Sequence, residues 1–110
     1  MATVYKILGQ QAPSANTVTT LYTVPASTQT VVSTLSICNN NAANVTCNVA
    51  FVPNGGTIGT NSYVVSGATL AYNDTMLLTL GFSLGTAGDT IKVYANTANV
   101  SFNLFGSEVS

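Results

Sequence analysis

Residues 88–108 read GDTIKVYANTANVSFNLFGSE, and their alternation decides the fold class. Ile91, Val93 and Ala95 alternate with Lys92, Tyr94 and Asn96; past a polar turn, Val100, Phe102 and Leu104 alternate with Ser101 and Asn103. Strand side chains point to opposite faces with period two, so each run has one apolar and one mostly polar face. The pattern predicts a half-buried antiparallel hairpin. Asn96-Thr97-Ala98-Asn99 forms its connection, and Gly88-Asp89 marks its entry.

Working outward, the same reading recurs. Gln29 to Cys38 is a β-branched run in which Val31, Leu35 and Ile37 share a face, and Val45, Cys47, Val49 and Phe51 carry the next inward face. The Asn39–Asn44 cluster joins them as a second predicted hairpin. Thr3 to Leu8 reads as a strand or an arm, Gly9 to Thr17 as a loop, and Thr19 to Val24 as a strand stopped by Pro25. Ser62 to Ala71 holds Tyr63, Val65 and Leu70 around Gly67, which marks a turn or bulge. Tyr72-Asn73-Asp74 is a turn, and Thr75 to Leu80 is a compact strand closed by Gly81. No window has a helical period. Eight or nine strands at about ten-residue spacing predict an all-β antiparallel sandwich, jelly-roll-like, with no helix. The chain divides into a strand or arm plus loop over 1–17 and a single sandwich domain over 18–110. Its 110 residues suffice to hide roughly 65% of the unfolded surface in one core.

Charge is the unusual quantity. Charged residues make up 5% of the chain, against about 25% in ordinary soluble domains. Lys6, Lys92, Asp74, Asp89 and Glu108 are the full set, giving a net charge of -1. Nucleic-acid binding needs clustered Lys and Arg that release counterions, so this composition argues against it. It equally argues against an anionic membrane surface, and no stretch approaches the ~20 apolar residues of a span. Natural strand edges are guarded by Lys, Glu and Pro. A strand-rich chain with few of these suits docking against its own copies or a larger assembly. The start, MATVYKILGQQAPSANT, lacks the apolar run of a secretory signal, which implies folding in a cytoplasm with Cys38 and Cys47 as free thiols.

Catalytic chemistry finds little material. With no His and three carboxylates, the chain cannot build a Ser-His-Asp arrangement, and Asp74 and Asp89 read as turn caps. Glu108 reads as part of the tail. Two Cys without His cannot complete a metal site within one chain. Cys47 falls on the apolar face beside Val45 and Val49, whereas Cys38 falls opposite Leu35 and Ile37; a cross-strand disulfide, the alternative, would need a shared face. The glycine-rich stretch Asn54 to Thr60 lacks the Lys and the following helix of a phosphate cradle and reads as a flexible connection. No enzyme, cofactor or metal is expected.

Three stretches carry a family resemblance. They are Leu21-Tyr22-Thr23-Val24-Pro25 followed by Thr30 to Asn39 (TVVSTLSICN); Asn73-Asp74-Thr75 with Leu78-Thr79-Leu80-Gly81; and Gly88 to Ala95 with Asn99 to Glu108. Taken in order, they resemble small virion proteins of tailed bacteriophages, especially those of aquatic bacteria and cyanobacteria. The resemblance implies a capsid decoration (cement) protein, made in the host bacterial cytoplasm. Such a protein sits on the outer capsid surface, often as a trimer, and its partners are the major capsid protein and copies of itself. A tail, neck or fibre component and a carbohydrate-binding adhesin are the alternatives. Tyr5 and Ile7 are the candidate interface residues: they are largely apolar and belong to a terminal segment that must be tied down to be ordered. The competing expectation is that Val4 to Leu8 is an ordinary sheet strand.

Overall fold

A computed structural model describes residues 3–110; Met1 and Ala2, the first residues of the 1–17 segment, lie outside them. Among the described residues there are eight strands and no helix: β1 (Thr3–Gln11), β2 (Thr19–Thr23), β3 (Gln29–Asn39), β4 (Val45–Val52), β5 (Tyr63–Leu70), β6 (Thr75–Leu84), β7 (Thr90–Ala95) and β8 (Val100–Val109). They form two four-stranded antiparallel sheets, ordered β1-β8-β3-β6 and β2-β7-β4-β5. The pairs β1/β8, β2/β7, β3/β6 and β4/β5 nest inside one another and fall alternately in the first and second sheet. This is one long hairpin rolled up on itself, the jelly-roll form of a β-sandwich.

Rolling up overturns both expected hairpins. β7 pairs with β2 and β4, and β8 with β1 and β3, so Asn96–Asn99 carries the chain from one sheet to the other. β3 and β4 likewise lie in different sheets, and the sequential hairpin is β4/β5. Alternation fixes which face of a strand is buried but not which strand lies beside it. Four extended residues reach about 13 Å, enough to cross the ~10 Å between packed sheets.

The inward faces make one core. Phe102, Leu104 and Val100 of β8 meet Leu35 and Ile37 of β3 and, from the second sheet, Ile91, Val93, Val45 and Val49. The inward alternation expected for β7 and β8 is observed in full. On β3 it is not: Val32 is 0% exposed and Val31 41%, although Leu35 and Ile37 are buried as expected. The register of β3 slips between Val32 and Thr34 against both neighbours, so Ser33 is an extra residue that reverses the parity of everything before it. Gly81, at φ 68°, takes the matching irregularity on β6. The strand passes through it to Leu84 instead of ending there, because glycine tolerates the left-handed backbone. β1 shows the same device: it runs beyond the expected loop start to Gln11, and Leu8, the extra residue at its slip, is buried in the core.

The crossovers at one end are pinned by Asn39, which is fully buried. Its Nδ2 donates to the carbonyls of Ala43 at 2.9 Å, Ala71 at 3.0 Å and Leu70 at 3.3 Å, and its Oδ1 accepts from the Asn41 amide at 3.0 Å. Asn41 in turn donates to Ala98 O at 2.9 Å. One amide thus ties the β3–β4 connection to the β5–β6 turn and, through Asn41, to the β7–β8 crossover. Asn39→Ala removes the donor from several buried carbonyls, and leaving such groups unpaired costs about 1–3 kcal/mol each. The variant is expected to lose at least about 2 kcal/mol in urea denaturation. Gly106→Ala should also destabilise, by about 1–3 kcal/mol, because a methyl there would land on the Val31 carbonyl oxygen; loss of thermal midpoint checks it.

Candidate interaction surfaces

Asp74 and Asp89 serve the framework. Asp74 Oδ1 accepts from the Thr75 amide at 2.9 Å. Asp89 accepts from the amides of Asn54 at 2.8 Å and Thr86 at 3.2 Å, so both act as the expected turn caps. Cys38 lies on the first sheet with its thiol half-exposed and 3.5 Å from Asn40 Oδ1, while Cys47 is buried in the core from the second sheet. Burial pushes the Cys47 thiol up from its ordinary value. Among the described residues no three His, Cys, Asp or Glu side chains gather.

Glu108 departs from the tail reading. It belongs to β8, where its carboxylate accepts from Lys6 Nζ at 2.9 Å and from the Tyr22 hydroxyl. The Tyr22 oxygen also lies 2.7 Å from Thr30 Oγ1, whose hydroxyl can donate to it. Tyr22 comes from the second sheet and the other three from the first, so the cluster joins the sheets where the apolar core gives out. Burial, then the hydrogen bond to the Glu108 carboxylate, pushes the Tyr22 phenol up to about 12. The Tyr22 and Lys6 hydrogen bonds hold Glu108 below its ordinary value. Sequence reasoning missed this cluster because its members are 86 and 102 residues apart.

The candidate interface residues sit on β1, which pairs with β8 from Thr3 to Gln11 as an edge strand of the first sheet. Tyr5 is 84% exposed and Ile7 52%. Register carries Tyr5 across to Ser107 and Val31, and Ile7 across to Phe105 and Thr34. Tyr5, Ile7, Val31 and Phe105, the last 36% exposed, therefore occupy two adjacent rows on the outer face of that sheet. A depression of about 370 Å³ lies among Tyr5, Val31, Ser33, Phe105 and Ser107. Val31 and Phe105 escaped the sequence reading because the slip at Ser33 is what turns Val31 outward. Lys6 borders the depression with its amine tied to Glu108.

No protein-family model and no curated protein matches the sequence. The fold does have counterparts among solved structures. A chain of the T13 viral particle of infectious bursal disease virus superposes with a TM-score of 0.58 at 13% identity, covering 97% of this chain and 29% of the other. The VP2 subviral particle of that virus gives 0.54 at 14%, covering 97% and 31%. The Gx strain of the virus gives 0.52 at 11%, covering 97% and 30%. The chain thus spans under a third of the length of the proteins it matches. At this identity the likeness establishes a shared fold, an all-β antiparallel sandwich.

The Tyr22–Glu108 cluster sets how stability depends on pH. Glu108 titrates lower folded than unfolded, so its contribution is present above about pH 4.3 and is lost as pH falls through the folded value. Tyr22 titrates higher when folded. Its contribution is complete below its ordinary value of 10.0 and is lost as pH rises toward 12. Urea midpoints measured against pH are expected to fall at both ends. Glu108→Gln should flatten the acid limb and Tyr22→Phe the alkaline one, the latter costing about 1–3 kcal/mol at neutral pH.

Proposed function

We propose that this protein is a non-enzymatic structural component of a virion, and within that class a capsid decoration protein that binds the major capsid protein and copies of itself and stabilises the head. The observation that carries the reading is the outer face of the β1-β8-β3-β6 sheet. Tyr5, Ile7, Val31 and Phe105 stand there together, and the cation beside them is neutralised within the chain. A contiguous apolar patch on an exposed sheet face is a site that protein contact would cover. The likeness to chains of viral and subviral particles supports the reading because it spans nearly the whole chain. So does the scarcity of charge, which leaves docking to shape and apolar contact.

Two consequences distinguish this role from a charge-steered one. Binding to empty shells of the same virus should change little with salt, since exposed ion pairs are what salt screens. A Tyr5→Ser/Ile7→Ser double variant changes two outward side chains and leaves the β1/β8 ladder intact. It should keep the wild-type thermal midpoint and lose shell binding by at least about tenfold, the equivalent of 1.4 kcal/mol. Co-sedimentation with shells at increasing salt measures both. A folded double variant that still binds as wild type would remove this face from the account.

A further inference from the structure

A second concave feature lies on the opposite side of the molecule, on the outer face of the β2-β7-β4-β5 sheet. Its form follows from side-chain size along one register row, where Lys92 pairs with Ala50 and Ala50 with Tyr63. Ala50 points outward yet is 2% exposed, a small residue sunk between two long ones. Tyr94 and Asn48 form the next row, and Ile58 from the β4–β5 connection and Val18 from the β1–β2 connection close the sides. The depression is half open and its volume is about 160 Å³. Cavities of about 150 Å³ accommodate a single six-membered ring.

The polar groups around this depression point to one kind of ligand. Lys92 Nζ donates one hydrogen bond, to Thr20 Oγ1 at 3.3 Å, and has two N–H groups to spare. Asn48 accepts the Gly67 amide on its Oδ1, which leaves its two Nδ2 hydrogens as donors. The three carboxylates of the chain are engaged elsewhere: Asp74 and Asp89 cap turns, and Glu108 holds Lys6 and Tyr22. The depression therefore combines a cation and an amide donor with two tyrosine side chains and no acid. Lys92 leans toward Thr20 on β2 and Asn48 toward Gly67 on β5, so the two donors stand on opposite sides of the depression; a lone ammonium matches a single carboxylate, whereas a phosphate dianion would call for clustered basic residues or a guanidinium fork. The Tyr rings offer an apolar surface to the C–H face of a ring, and the Tyr94 oxygen, which donates to Asn16 Oδ1 at 2.7 Å, keeps lone pairs for a ligand hydroxyl.

We infer that this depression is a binding site for an acidic saccharide unit, a pyranose bearing a carboxylate, with Lys92 taking the carboxylate, Asn48 a hydroxyl on the opposite side, and Tyr63 and Tyr94 the ring. The site is on the other sheet from the apolar face formed by Tyr5, Ile7, Val31 and Phe105, and it stands whether or not that face binds a capsid. Aromatic surface with few hydrogen-bond donors gives weak affinity for one sugar unit, and a multivalent particle would multiply it.

Amide chemical shifts of the full chain, followed during titration with methyl glucuronide, methyl glucoside and benzoate, test the assignment. Methyl glucuronide is expected to move the amides around Asn48, Ala50, Tyr63, Lys92 and Tyr94, and to bind at least about tenfold more tightly than methyl glucoside, as one charge-assisted hydrogen bond would provide. Lys92→Gln should abolish that preference, and Tyr63→Ala should weaken both sugars alike, each with an unchanged thermal midpoint. Equal binding of the glucuronide and the glucoside would overturn the carboxylate assignment. Benzoate binding as tightly as the glucuronide would overturn the saccharide class, and no localised shifts with any of the three would overturn the site itself.

Discussion

The structure depends on one geometric constraint: a strand keeps its apolar residues on the core side only while the period of two is unbroken. Strands such as β3, with 11 residues, and β6, with 10, are longer than most strands in globular proteins, and a twisted sheet turns away from its neighbour over such lengths. Slips at Leu8, Ser33 and Gly81 fall close together across the first sheet. They let it bend while Val32, Leu35, Ile37, Phe102 and Leu104 remain in one core. The same slips decide what faces solvent. Val31 joins the outer apolar face because Ser33 is inserted after Val32, so core continuity and surface chemistry have a common origin.

Fold class was legible because alternation is local. Val100, Phe102 and Leu104 announce an inward face without reference to any partner, and the turn chemistry at Asp74 and Asp89 is equally local. Pairing was not legible. A polar connection such as Asn96–Asn99 serves a hairpin or a sheet-to-sheet crossing equally well, and only the nesting of the other pairs selects the crossing. The slip at Ser33 has no glycine to signal it, whereas Gly81 did signal an irregularity but reads equally well as a strand end. Asn39 sits in a run of three Asn, and its buried role follows from carbonyls about 30 residues away. Of the candidate surface, Tyr5 and Ile7 were visible as apolar residues near one end, and their neighbours Val31 and Phe105 became visible only through register.

Scarcity of charge gives the molecule its functional character. Three of the five charged side chains are internal fasteners: Asp89 holds the β4–β5 connection, and Lys6 and Glu108 join the edge strand to β8 beneath Tyr22. Few charges are then left to repel a neighbouring protein or to attract a polyanion. A jelly roll with one apolar outer face and a largely polar, sparsely charged remainder is suited to permanent contact within an assembly. That is the physical basis for proposing a virion role over an enzymatic one.

Cryo-electron microscopy of the intact virion, with this sandwich located in the density, tests the central claim most directly. The account predicts many copies placed over junctions between major capsid subunits, with the sheet face bearing Tyr5 and Ile7 turned toward a neighbouring protein. A few copies confined to the tail or neck, or a particle in which that face points to solvent in every copy, would contradict it.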